Sequence, residues 1–288
     1  MTGDPWVILD VTYRSLLQRP PDAYARSTWL PQLKTGGLSV EQFGRKIVES
    51  DEFRVVSAST SLGDSLHRSR CDWVRGLPPA RKILDLGGTN LLHEFGAMVT
   101  MGYPYPFDEL VIVDLPPDDR HKSYNKGGVR DDVDVGRGTV RYAYHSMIDL
   151  APYADETFDL VFSGQSIEHV QMDEGDLMLK ESYRILRPGG WLAVDTPNRA
   201  ITRLWVDQDR PWKTGYVDPD HKYEYTVAEL VDKVTAAGFS VVETKGLNLG
   251  TEVLESGTFS LENLAKHPGV YADAASCYAL AILCRKPG

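Results

Sequence analysis

The hydrophobic pattern divides the chain into a helical beginning and a longer series of short apolar runs. Over residues 5–53 apolar side chains recur at helical spacing. Val7, Ile8, Val11, Leu16 and Leu17 mark the first helix. Pro20-Pro21-Asp22 interrupts it and opens a second, with Tyr24, Trp29 and Leu33 expected inward. TGGLSVEQF then supplies a Gly-Gly turn and a capping box, Ser39 with Gln42, which predicts a third helix ending near Glu49. A fourth is expected over 60–76, with Leu62, Leu66, Trp73 and Val74 facing a sheet.

From Arg81 the period changes. RKILDL, LVIVDLP, TVRYAYH, the run from Phe158 to Ser163 and the run from Trp191 to Val194 read as strands buried on both faces. FSVVET and YALAILCRK follow as two more. Helices are predicted over LLHEFGAMVTMG, from Asp173 to Leu186 with a stop at Pro188-Gly189-Gly190, and over YTVAELVDKVTAAGF with Thr226 as cap and Gly238 as end. Residues 116–138 have few apolar side chains and no helical period, which predicts a long loop, either disordered surface or an active-site lid, with the lid favoured.

With 288 residues there is room for one large domain and a small one. The net charge of −10 argues against a nucleic-acid or anionic-membrane binder, since both need basic surface. Cys71, Cys277 and Cys284 are unclustered, so neither a disulfide framework nor a zinc site is expected. The start, MTGDPWVILD, lacks a basic leader, and no segment reads as a membrane span. A cytoplasmic protein is expected.

Two strand tips carry candidate chemistry. Ligands of open α/β sheets bind at the carboxyl ends of strands. Gly87-Gly88 ends the first strand, where the missing Cβ lets a ligand approach the backbone. Asp114 ends the second, placed to accept both hydroxyls of a ribose. A nicotinamide dehydrogenase would share that carboxylate, but DLGGTNLL lacks its G-x-G-x-x-G.

Taken together, DLGG, IVD, FDLVFS…EHV and RILRPGG before a strand resemble the class I S-adenosylmethionine-dependent methyltransferases over roughly Arg81 to Glu243. The resemblance implies an α/β fold: a Rossmann-like seven-stranded sheet, mostly parallel with an antiparallel last strand, and helices on both faces. The domain would cover 58–288, with acceptor-side insertions at about 199–225 and 246–276. The implied cofactor is S-adenosylmethionine. Asp85, Gly87, Gly88 and Asn90 would surround its amino-acid end, Asp114 and Leu115 its ribose, and Met147 and Ile148 its adenine, with Gln165 and Ser166 opening the crevice. Thr89 and Leu91 stand where the family usually has further glycines, so Asn90 is expected to supply a side-chain contact. Residues 1–57 resemble a small bacterial helical domain of unknown function, recurrent in surface and polysaccharide-linked proteins, with a packing or homodimer-forming role.

A methyltransferase holds donor and acceptor in line, and a hydroxyl acceptor also needs a base. His169 ranks first, beside the methyl end; His221 second, on an aromatic loop; His145 third, nearer the adenine. Glu168 would orient His169 or help to hold a metal. Asn198, Arg199, Trp205, Trp212 and Tyr223 are candidates to bind the acceptor. Asp195, Asp207, Asp209, Asp218 and Asp220 suit Mg²⁺ chemically, but their spacing defines no site and no metal is assigned. These features together favour an O-methyltransferase of a small molecule, with a sugar or oligosaccharide foremost and methylated mannosides a specific case. The rivals are a C- or N-methyltransferase of a quinone, lipid or amine, and a non-catalytic cofactor-binding protein.

Overall fold

The leading helices form where caps and apolar spacing direct. The computed structural model describes residues 4–17, 21, 23–50, 61–90, 93–120, 129–205 and 216–288. Helix α1 spans Pro5–Leu17, α2 Ala23–Thr35 and α3 Val40–Val48. Ser39 Oγ accepts from the Gln42 amide while the Gln42 side chain accepts from the Ser39 amide, closing the expected capping box. Leu9, Tyr13, Leu17, Leu33, Phe43 and Ile47 share one core. Tyr24, expected inward, is 71% exposed, and Ala25 is buried in its stead. The reason is periodicity: Ala25, Trp29 and Leu33 are four residues apart and stack on one face, whereas Tyr24 falls to the side. The boundary expected at 57/58 lies outside the described residues, as do His121, Asp207, Asp209 and Trp212.

Helix α4, Leu62–Arg75, leads into the sheet with Trp73 and Val74 buried and Leu62 and Leu66 packed on the same core. The strands are β1 Lys82–Leu86, β2 Glu109–Asp114, β3 Val133–Asp134, β4 Thr139–Tyr144, β5 Phe158–Gly164, β6 Leu186–Pro197, β7 Ser240–Leu249, β8 Val270–Tyr271 and β9 Cys277–Arg285. They form one sheet in the order β3-β4-β2-β1-β5-β6-β9-β7-β8. Strands β4, β2, β1, β5 and β6 run parallel, and β9 inserts antiparallel between β6 and β7. The seven expected strands are all present; β3 and β8 add two antiparallel edges, making nine. Each is only two residues long, too short to leave a period in the sequence. Strand β3 and a 3₁₀ turn, Pro117–Asp119, lie within the stretch predicted as unstructured loop.

The remaining helices are α5 Gly96–Thr100, α6 Met172–Ile185, α7 Arg199–Thr202, α8 Val227–Ala236, α9 Thr251–Ser256 and α10 Leu261–Ala265. Thr226 and Glu229 cap α8 reciprocally. Helix α5 is much shorter than predicted, because Gly96 sits at φ 75°, outside helical geometry. Pro188-Gly189-Gly190 does not separate helix from strand. It is a bulge within β6, whose pairing with β5 steps from Phe158↔Leu186 to Leu160↔Trp191. Apolar side chains fill both sheet faces: Ile83, Leu110 and Phe162 on one, Leu84, Val113 and Val194 on the other. With both faces covered, the strand ends are where a ligand can enter.

Candidate functional site

A cavity opens at the carboxyl ends of β1, β2 and β5. Gly87, Asp114, Leu115, Met147, Gln165, Ser166 and His169 line it, joined by Thr89, Val113, Arg120, Ser146, Val170 and Asp220. Gly87 turns the chain at φ 73°, and its amide donates to the Val113 carbonyl at 2.8 Å. A Cβ there would lie 2.7 Å from Ser166 Cβ. Gly88 is required for another reason: a Cβ would stand 2.2 Å from the Asp85 carboxylate, which folds back beneath the turn. Asp85 is buried and its oxygens have no hydrogen-bond partner of good geometry among the described residues. Burial pushes its carboxyl up to about 7, against a weaker pull from the Met98 amide and Arg70.

Asp114 ends β2 with its Oδ1 accepting from the Leu115 amide at 2.8 Å. Arg120 Nε lies 3.4 Å from the same oxygen, and the guanidinium sits over the Tyr144 ring. Arg120 falls in the stretch predicted as a long loop, yet its side chain is 5% exposed. Asn90 and Ile148 are absent from the wall. The Asn90 amide donates to Thr100 Oγ1, and Ile148 packs against the core.

Beneath the cavity, Arg70 of α4 reaches Asp195 of β6 with bonds of 2.7 and 3.3 Å, and Gln165 Nε2 donates to the same carboxylate at 2.9 Å. Gln165 takes φ 53°, which holds its backbone at the cavity rim. Gly96 brings α5 close, since a Cβ would meet Ile112 Cδ1 at 2.1 Å. Arg70 and Gly96 carry no local signal, because each acts on a residue distant in sequence.

His169 and His221 meet edge to face, ring centroids 4.9 Å apart. The loop carrying His221 is tied down by Lys222 and Tyr223 amides donating to the Glu168 carbonyl at 2.7 and 3.2 Å. His221 Nδ1 bonds Glu224 Oε1 at 2.6 Å, and Glu224 in turn accepts from Thr202. Burial opposes charge on His221, but the Glu224 bond and the Glu168 and Asp218 carboxylates outweigh it and raise its pKa. His169 is lowered by burial and by His221. Glu168 is fully buried; its Oε2 accepts from Thr196 at 2.9 Å, and burial pushes it up to about 7.

Other candidates lie apart. His145 is not on the wall: its ring nitrogens contact the Ser146 carbonyl and Tyr153 Oη. Asn198 is buried, its amide donating to the Ala274, Ala275 and Cys277 carbonyls and its oxygen capping Ala200. Arg199 pairs with Glu229 and covers the Tyr223 ring, whose hydroxyl also donates to Glu229. Trp205 is half-buried. Tyr225, edge to face with Tyr223, is core. Among the described residues no helix is long and apolar enough to cross a membrane.

Comparison with known proteins finds likenesses over part of the chain. Residues 106–194 match the methyltransferase domain family. A Mycolicibacterium smegmatis protein described as a probable S-adenosylmethionine-dependent methyltransferase is 33% identical over 111 residues, 38% of this chain and 40% of that one. The chain thus matches about two fifths of that relative's length. The ubiquinone biosynthesis O-methyltransferase of Paracidovorax citrulli is 26% identical over 186 residues, 62% of this chain and 72% of that one. The fold is shared with a chain from the complex between the Haloferax volcanii Trm112 methyltransferase activator and a methyltransferase: TM-score 0.50, 16% identity, covering 79% of this chain and 92% of that one.

Proposed function

The chain carries a class I S-adenosylmethionine-dependent methyltransferase domain, and from that premise we propose that it transfers the cofactor's methyl group to a hydroxyl of a small molecule. The observation that carries this reading is His169 on the wall of the same cavity as Gly87 and Asp114. An imidazole there stands beside the open end of a nucleoside site.

The residues fit the cofactor. Gly87 brings its backbone to the cavity wall, and Asp114 lines the same wall as a ribose acceptor. Met147 and Leu115 give apolar walls for the adenine. Bound there, S-adenosylmethionine supplies an activated methyl on a sulfonium. The chain's own work is to orient that group, exclude water and manage the acceptor's proton. That last task falls to the cluster of His169, His221 and Glu168.

Oxygen as the methylated atom is favoured by the relative named as a ubiquinone biosynthesis O-methyltransferase. A carbohydrate acceptor is favoured by the groups around His221. Tyr216 offers a flat face, its ring 6.2 Å from the imidazole, and Asp218 and Asp220 offer carboxylates to a polyhydroxylated ligand. A quinone hydroxyl is the second reading, on the same relative.

The test is calorimetry with S-adenosylmethionine and its demethylated product, followed by labelled-methyl transfer to oligosaccharides and to hydroxylated quinones. His169→Asn is expected to lower turnover on the hydroxyl acceptor by about 10²–10⁴-fold with cofactor affinity unchanged. Full turnover by that variant would sink the role of the histidine cluster.

A further inference from the structure

We propose that Glu168, His169 and His221 form a binding site for one divalent first-row transition-metal ion, at the acceptor end of the cavity. One ligand atom from each of the three lies within 4.8 Å of the others. Ligands about 2.1 Å from a shared ion sit up to about 4 Å apart, so the cluster is close to its loaded geometry.

Two independent features point to an ion rather than a packed polar core. The first is Glu168. It is fully buried, Oε2 is taken by Thr196, and Oε1 has no hydrogen-bond partner among the described residues. A buried carboxylate oxygen with no donor is costly unless a cation answers it. The second is the way each imidazole is held. Metal-bound histidines use their other ring nitrogen on a carboxylate or backbone group, which fixes the tautomer. His221 does this through Nδ1 on Glu224, itself bonded by Thr202. His169 does it through a hydrogen bond to the Asp220 backbone. Both rings thereby keep one nitrogen for a ligand bond.

Two imidazoles and one carboxylate select borderline ions such as Zn²⁺, Mn²⁺ or Co²⁺ over Ca²⁺ or Mg²⁺. Three protein ligands leave a position open, as in catalytic rather than structural sites. Of the three, His169 lines the cavity wall. The inference deepens the methyl-transfer reading and rests on it only for the ion's role. That role is to bind the acceptor hydroxyl and lower its pKa. The hydroxyl proton passes to water. The oxygen takes the methyl carbon as the carbon–sulfur bond breaks, its electron pair remaining on the now neutral sulfur. In the loaded protein the histidines are ligands, and the ion replaces a free imidazole base.

The test uses the full chain, without a polyhistidine tag, stripped with EDTA and titrated with Co²⁺. One Co²⁺ per chain is expected, with visible d–d absorption. Affinity should fall at least 100-fold in His169→Ala, His221→Ala and Glu168→Gln, and about 10- to 100-fold in Glu224→Gln. Thermal midpoints and S-adenosylmethionine calorimetry verify folding, and His221→Gln replaces any variant that fails to fold. No Co²⁺ uptake by the stripped chain, or equal affinity in the folded His169 and His221 variants, overturns the site. Cofactor binding with no Co²⁺ uptake overturns the site alone. Co²⁺ uptake without cofactor binding overturns the methyltransferase reading and leaves the site standing.

Discussion

Arg120 reaches back over the tip of β2 to Asp114, placing its Nε 3.4 Å from Oδ1 while donating to the Leu115 carbonyl at 2.6 Å. The carboxylate proposed to take the ribose is therefore held in place by a buried cation. Asp114→Asn keeps the shape and removes the charge. It is expected to weaken S-adenosylmethionine binding by about 10- to 100-fold, the scale of a hydrogen bond to a charged group. Arg120→Met should cost about tenfold, since the carboxylate loses its orienting partner but not its charge. Calorimetry checks both; unchanged affinity in Asp114→Asn would remove the ribose assignment.

Arg70 and Asp195 make the structural counterpart of that pair. Their side chains are 14% and 0% exposed, and the bond joins α4 to β6 beneath the cavity floor. Removing one partner of a buried pair leaves an uncompensated charge, at about 3–5 kcal/mol. Arg70→Met is expected to lose stability on that scale in urea unfolding. Arg70→Met with Asp195→Asn should recover a large part, because the stranded charge is gone.

Two glycines with similar backbones separate strain from contact. Gly87 and Gly257 have φ of 73° and 65°, but only Gly87 has a neighbour that a Cβ would strike. Gly257→Ala should cost about 1–2 kcal/mol, the left-handed backbone penalty alone. Gly87→Ala should cost more and also impair cofactor binding, because Ser166 must move. Chemical denaturation and calorimetry of both proteins would expose equal costs, contrary to expectation.

Asp85 makes a pH prediction. Its carboxyl rises from 3.8 to about 7 by burial, with Arg70 opposing and Asp114 and Asp195 adding to the shift. A raised carboxyl is tolerated protonated, so its contribution to stability is complete below about pH 4 and is lost as pH rises towards 7. Asp85→Asn removes that loss. The variant's unfolding free energy should fall less than the parent's between pH 4.5 and 7.5, by at most about 4 kcal/mol. Parallel curves would show that the carboxyl titrates normally.

Much of this was legible in the chain itself. The run Ile83 to Leu86 ending in glycine, and Val111 to Val113 ending in Asp114, depend only on adjacent residues and gave strands and tips correctly. The capping box at Ser39 and the cap at Thr226 are local too, and both formed. Tyr24 and the helix expected around Gly96 failed where one residue of phase, or one positive φ, outweighed the apolar pattern.

Sequence alone determined the seven longer strands, where the glycine turn falls and that Asp114 ends the second of them. These follow from periodicity and backbone preference within a few residues. Tertiary structure alone decided that Arg70 meets Asp195, 125 positions away, and that Arg120 is buried rather than solvated. It also brought His221 onto His169, through loop amides anchored on the Glu168 carbonyl. Such meetings depend on the path of a loop with no period, and that path is set by long-range bonds that exist only once the sheet has formed.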